Sequence, residues 1–496
     1  MNLQSALSHS GRWLSARRRS QPGAPAVEPA PLIMLAALFL VGLYFVVARF
    51  ARLLGSSTIE PSPLGAAGLI VVATAAGLFY SRVVAWLDRN EKEPWQLMVS
   101  VLLLGAVAGF GVAGGVSRLV HADMLRLVAR SPLDEQGSQI LFPSERGPVL
   151  EIECDRPDVA VATLQQMEQF DAVVQAERRV YIMSRRVAED RPLIAQALAE
   201  ADVQVQDVNL YASGRDLFGR RVWPGMREDL WRRIAASRIA PLVEEATKGL
   251  LVLLLFIGLQ REFDGPLDGI VYGALVGLGF AMTENAVYMI DKGALGQFLT
   301  RIVLRGLSGH ATYTAFTGLG LGIARTSRNR TVAGLGPVVG FAIAVLAHML
   351  WNTFGAYLMD KWSRPAGVLA VNGPFVVLMA MGVWLSWRKE DQIVRQYLPV
   401  DLYDPATYTA PSDLAGARAR QRARRRAAQA IGWRKAHLVT ALQRTLVEIA
   451  FRHWHAGLEG LDPAAMADLP ALRRQVLDLR VSLQEEAAKT KRGDNL

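Results

Sequence analysis

Apolar residues dominate this chain in blocks. Eight stretches are long enough to cross a bilayer as helices, which takes about 20 apolar residues each. They fall at 31–51, 64–86, 97–119, 240–260, 267–290, 297–323, 332–358 and 366–387. The pattern predicts an all-α polytopic membrane protein of about eight transmembrane helices. Two polar blocks interrupt it, 121–239 after the third span and 388–496 after the eighth. The first 30 residues are rich in Ser, Pro and Arg and are expected to be a disordered basic N-terminus. The domain plan is therefore 1–30, spans one to three in 31–120, an extramembrane insert at 121–239, spans four to eight in 240–387, and a cytoplasmic tail at 388–496. The run 31–47 has the length of a signal peptide, but Arg49 and Arg52 follow it and no small-x-small site stands out. It reads as an uncleaved anchor.

The insert changes period. Val149–Glu153 reads as a strand and Asp158–Met167 as an amphipathic helix. Ala172–Val174 and Arg179–Ser184 read as a strand pair, Pro192–Ala201 as a helix and Val203–Tyr211 as a last strand. This β-α-β-β-α-β order suggests a ferredoxin-like α+β unit. The tail reads as helical, and Ala415–Ala436 carries eight basic residues. Contact with anionic lipid is the reading that suits them, and a solvated basic face is the plainer one. No aromatic interleaving accompanies them, so nucleic acid is not expected.

Composition agrees with a membrane protein. Of 496 residues, 51% are hydrophobic and 20% charged, and the mean hydropathy is +0.20. Cys154 is the only cysteine, which excludes a disulfide framework and a cysteine zinc site. The chain carries 55 Lys+Arg against 45 Asp+Glu. With the N-terminus inside, fourteen basic residues near span ends face the cytoplasm and four sit in the short outer loops. Both chain ends are then cytoplasmic and the insert lies outside. Its flanking Arg126, Arg130, Arg227, Arg232, Arg233 and Arg238 oppose this placement, but long loops translocate largely regardless of charge.

The chemistry lies in spans four to seven. Ionisable groups inside a bilayer are costly, and each is a functional candidate. Span four opens with Glu244, Glu245 and Lys248; span five holds Glu284; span six holds His310; span seven holds His348 and Asn352. Of seven histidines, only His310 and His348 fall inside spans. Successive spans run in opposite directions, so these groups share one band in the outer half of the membrane. Glu244 and Lys248, four apart on one helix, are expected to pair. Two imidazoles with carboxylates match the ligand types of zinc. A further carboxylate can serve as general base toward water. Such a set could hydrolyse an amide within the membrane. A proton or ion relay of a transporter is an alternative reading, although no inverted repeat is seen. A non-catalytic membrane scaffold is another. Gly105–Gly115 and Gly318–Gly322 are read as close helix packing. Arg301 and Arg305 open span six and are expected to snorkel.

These residues resemble the PrsW family of intramembrane metalloproteases, itself distantly similar to CAAX-prenyl-protease-like membrane proteins. The resemblance rests on Glu244-Glu245-x-x-Lys248, Phe280-x-x-x-Glu284-x-x-x-Tyr288, His310 and His348-x-x-x-Asn352 in that order. The Asp88–Trp95 segment also looks like the family's acidic Glu-Pro loop, and Arg388–Leu398 like its exit from the membrane. The resemblance implies a multi-pass protease of the bacterial inner membrane that cleaves membrane-tethered regulators such as anti-sigma factors. Glu244 and Glu245 would supply the general base, with Lys248 and Asn352 completing the catalytic set. Glu284, His310 and His348 would coordinate metal, expected to be zinc, or orient the water. Asn352 stands where family members often have Asp, and the insert and tail lie outside the common core.

Overall fold

The computed structural model describes residues 29–55, 62–88, 93–129, 147–217, 219–220, 223–260, 262–433, 436–459 and 469–492. The expected disordered N-terminus, through residue 28, lies outside the described residues, as do 89–92 of the Glu-Pro segment and the basic pair Arg434 and Lys435. The chain divides into two compact units, Leu119–Ala236 and the remainder.

In the larger unit, α1 (Pro29–Gly55) and α2 (Pro63–Leu87) lead to α3 (Trp95–Leu104), which runs through a π turn, Gly105–Gly109, into Phe110–Ala129, whose residues from Leu119 on belong to the smaller unit. Ser62 caps α2 by accepting from Gly65 N at 3.3 Å, with Pro63 at the first helical position. The apolar side chains of α1 and α2 are largely exposed, Leu40, Tyr44, Val71 and Phe79 among them. Backbone groups there are satisfied within each helix, so such faces suit lipid.

The smaller unit contains β1 (Val149–Cys154), α4 (Pro157–Gln165), β2 (Ala172–Ala176), β3 (Arg179–Met183), α5 (Arg191–Glu200) and β4 (Val205–Tyr211). Its sheet is antiparallel in the order β2-β3-β1-β4. Alternation along β1 and β3 turns Leu150, Ile152, Cys154, Val180 and Ile182 toward Leu164, Ile194 and Leu198 of the two helices.

The site is built on the helices that follow: α6 (Ala240–Gly258), α7 (Pro266–Lys292), α8 (His310–Thr326), α9 (Arg330–Lys361) and α10 (Arg364–Tyr397). Among the described residues six helices are long and apolar enough to cross a membrane, namely α1, α2, α3, α7, α9 and α10. Eight were expected. The other two stretches are helical but interrupted by their polar residues. α6 carries Glu244, Glu245 and Lys248. The sixth stretch is not one helix. A π segment, Phe298–Leu304, and a 3-10 turn, Gly306–Ser308, precede α8. Gly306 has φ +21°, a conformation that strains a side chain. His310 is therefore the first residue of α8 rather than an interior residue of one continuous helix.

α7 is buried along most of its length. Its glycines recur every four residues and meet the α8 backbone. A Cβ on Gly277 would stand 2.2 Å from the His310 carbonyl oxygen, and one on Gly269 2.1 Å from that of Gly318. α9 meets α8 in the same way, since a Cβ on Gly340 would stand 2.2 Å from the Phe316 carbonyl oxygen. Small residues thus bring three backbones together, as the glycine stretch 318–322 predicts.

The tail is helical as expected, with α11 (Ala417–Ile431), α12 (Ala436–Glu459) and α13 (Leu469–Arg492). Ala423, Ala427 and Ile431 of α11 face an apolar core with Leu442 and Leu446 of α12, into which α10 sends Ile393 and Val394. Arg418, Arg422 and Arg425 point outward from α11. Near the start of α7, Asp268 accepts from Gly265 N at 2.6 Å, and Asp88 accepts from Glu93 N at 2.9 Å. Burial pushes the Glu93 carboxyl up to about 8, and nearby Glu262, Asp88 and Asp264 add to the effect.

Candidate active site

Glu245 is fully buried and engaged on both oxygens. Its Oε1 accepts from Lys248 Nζ at 2.5 Å and from His348 Nδ1 at 3.0 Å, and its Oε2 accepts from Thr314 Oγ1 at 3.0 Å. One carboxylate therefore ties α6 to α8 and α9. Lys248, also fully buried, pairs with Glu245 and not with Glu244 as the spacing suggested. Residues three and four apart are both neighbours on a helix, and the side facing α8 and α9 decides between them. The Lys248 ammonium also meets His310 Nδ1 at 3.1 Å and lies 4.3 Å from the centre of the Phe280 ring.

His310 projects from the first turn of α8. Helical side chains lean toward the N-terminus, and here that direction leads toward Glu284. His310 Nε2 lies 2.8 Å from Glu284 Oε2. Arg301 pairs with the same Glu284 oxygen, donates through Nε to Asn285 Oδ1 at 2.9 Å and covers the Tyr288 ring.

His348 sits on α9 with its ring centre 4.9 Å from that of His310 and stacked at 5.4 Å on Tyr313. Its Nδ1 is held by Glu245, which leaves Nε2 facing Glu244 Oε2 at 3.7 Å. That Glu244 oxygen is buried and has no hydrogen-bond partner. Among the described residues, Glu244, His310 and His348 form the one group of three potential metal ligands whose donor atoms lie within 4.8 Å of one another.

Six of the seven residues singled out in the sequence thus meet in one buried cluster. Asn352, one turn beyond His348, is exposed. The expectation that Arg301 and Arg305 snorkel is corrected. Arg301 is held by Glu284, and Arg305 is only 4% exposed, stacked 4.0 Å from the Trp351 ring centre. The helix breaks just before His310 and turns both side chains inward. Thr314, Tyr313 and Asn372, whose Oδ1 accepts from the Tyr313 hydroxyl, carry no sequence signal of their own. Thr314 could have been found one turn beyond His310 on the same face.

Residues 213–384 match the PrsW family of intramembrane metalloproteases. Protease PrsW of Oceanobacillus iheyensis is 33% identical over 138 residues, 28% of this chain and 59% of that protein. Protease PrsW of Geobacillus kaustophilus is 34% identical over 115 residues, 23% of this chain and 43% of that protein. Protease PrsW of Bacillus subtilis is 38% identical over 88 residues, 18% of this chain and 39% of that protein. The chain therefore spans between two fifths and three fifths of the length of these relatives. No solved structure matches it. The resemblance carried by the motifs holds over residues 213–384: that segment, which contains the whole polar cluster, is similar to the PrsW family of intramembrane metalloproteases.

Proposed function

We propose that this protein is an intramembrane protease of a bacterial inner membrane that hydrolyses peptide bonds of membrane-tethered proteins, such as anti-sigma-factor-like regulators. The observation that supports this most is Glu244 Oε2, a buried carboxylate oxygen with no hydrogen-bond partner, 3.7 Å from His348 Nε2. Every other carboxylate of the cluster is committed: Glu245 to Lys248, His348 and Thr314, and Glu284 to Arg301 and His310. Glu244 is then the group that takes the proton of the attacking water. Glu245 fixes the His348 ring through Nδ1 and so aims Nε2 into the site. Glu284 holds His310 through Nε2, which leaves Nδ1, beside Lys248, as its remaining nitrogen.

The donor set suits zinc, which His310, His348 and Glu244 would hold. When bound, zinc would lower the pKa of a water and polarise the peptide carbonyl. Lys248 pairs with Glu245, which in turn holds His348 in place.

The same reading extends to the rest of the chain. α6 and the segment 298–326 are the two further spans, less apolar because they carry the site. The strand order of the smaller unit supports a ferredoxin-like assignment. The outward Arg418, Arg422 and Arg425 of α11 support contact with anionic lipid.

The test is cleavage of tagged single-span proteins by the full chain in membranes, with metal content measured on the same samples. Glu244→Gln is expected to lower cleavage by about 100-fold or more. His348→Ala is expected to lose both cleavage and zinc. Cleavage by Glu244→Gln at the wild-type rate would falsify the assignment. Wild-type cleavage with no metal bound would keep the Glu244 role and remove zinc.

A further inference from the structure

The mechanism above leaves one buried charge unused. Arg305 lies in the break that precedes His310, and only 4% of it is exposed. The guanidinium face stacks on Trp351, three residues beyond His348 on α9. Its Nε and Nη2 atoms are buried without a hydrogen-bond partner. No carboxylate of the described residues pairs with it, since Glu284 is engaged by Arg301. A buried guanidinium with one edge unpaired and no salt bridge is costly, and in a membrane protein such a group marks a site.

The pair of free atoms is informative. Nε–H and the adjacent Nη2–H form the side edge of the guanidinium, two parallel donors spaced to meet both oxygens of a carboxylate. A single oxygen can take both donors, as Glu153 Oε2 does from Arg179, but a negatively charged one also balances the buried charge. The space beside this edge is kept by Gly309, where a Cβ would come within 3.1 Å of Nη2 and 3.4 Å of Nε. A further unpaired donor, Asn372 Nδ2, belongs to the residue that holds the Tyr313 hydroxyl. Tyr313 in turn stacks on His348. The unpaired groups on this side of the cluster are donors, which favours an anionic ligand.

We infer that Arg305 binds a carboxylate of the substrate, an acidic side chain close to the bond that is cut, and so sets sequence preference at the site. This rests on the protease reading for the identity of its ligand as a peptide. Arg305 is a specificity determinant that touches substrate. Glu244 and the histidines act on the scissile bond.

The test reads binding separately from hydrolysis. The full chain is placed in nanodiscs of neutral lipid, so that no anionic headgroup competes. The probes are fluorophore-labelled single-span peptides, amidated at the C-terminus, with Asp or Asn scanned across the segment next to the span. A further probe has Asn throughout and a free C-terminal carboxylate. Wild type is expected to bind the Asp peptide about tenfold more tightly than the Asn peptide at one position, as a charge-assisted pair predicts. In Arg305→Gln that ratio falls to about one, and in Arg305→Lys, which keeps charge but loses the paired donors, it lies between. Preference for the free C-terminus alone would keep the carboxylate site and reassign its source to the chain end. Equal binding of acid and amide probes by wild type overturns the inference, as does a ratio unchanged in Arg305→Gln. So does a variant that weakens acid and amide probes alike, which marks a merely structural arginine. If wild type shows the acid preference yet cleaves none of the peptides, the protease reading fails while the carboxylate site stands.

Discussion

Replacing Glu245 with Leu keeps the side-chain volume close while removing three hydrogen bonds at once, to Lys248, His348 and Thr314. Lys248 would then be a fully buried ammonium whose remaining polar contact is His310 Nδ1 at 3.1 Å. Breaking a buried ion pair by removing one partner costs about 3–5 kcal/mol. Lys248→Met leaves Glu245 with two partners, His348 and Thr314, and is expected to cost about 2 kcal/mol less than Glu245→Leu. The double variant holds no stranded charge. Apolar replacement of a whole buried pair is often neutral or better, so the double variant is expected to recover about 2–3 kcal/mol relative to the sum of the single changes. Stability would be followed by denaturant unfolding in detergent with tryptophan fluorescence, and cleavage measured on the same preparations. The double variant regains stability without regaining cleavage, because His348 still lacks its Nδ1 partner. Additive costs, or Lys248→Met proving the more damaging single change, would refute the network as drawn.

Two other outcomes are expected. Gly277→Ala places a methyl 2.2 Å from the His310 carbonyl oxygen and pushes α7 from α8. It should cost about 1–3 kcal/mol and lower cleavage more than Gly334→Ala, whose Cβ would meet nothing within 4 Å. The Glu93 carboxyl, pushed up to about 8, holds a proton in the folded protein that the unfolded chain releases near its ordinary value of 4.5. The folded state binds the extra proton between those values, so stability falls as pH rises through that window. Glu93→Gln is expected to flatten the change between pH 5 and 8.5, and an unchanged slope in unfolding midpoints would assign it to another group.

Much of the site was legible in the sequence because charge inside an apolar run is rare. Glu244, Glu245, Lys248, Glu284, His310 and His348 stand out against their spans, and alternating span direction alone puts them in one band. Their partners were not legible. Whether Lys248 pairs with Glu244 or Glu245 depends on which side of α6 faces α8, and helical spacing allows both. The placement of Arg301 and Arg305 depends on a break at Gly306–Gly309 inside a stretch that hydropathy reads as continuous. The same break removes the sixth stretch from the count of spans and the three charges of α6 remove the fourth, so six helices rather than eight meet the length and hydropathy of a span. In the smaller unit, element order was readable from periodicity, but strand order required long-range pairing such as Glu151 with Tyr181 and Asn209.

The glycine contacts make the intervals between motifs into rulers. Gly277 fixes where α7 touches the His310 backbone, and Glu284 follows it by seven residues, almost two turns. Gly340 fixes α9 against α8, and His348 follows it by eight. One residue gained or lost inside either interval would swing the functional side chain by about 100° around its helix. The connection at 293–297 joins α7 to the segment before His310 and lies outside both intervals. Descendants of this chain can therefore vary in loop length there and in the insert, while these two intervals stay at fixed length as long as the cluster is used.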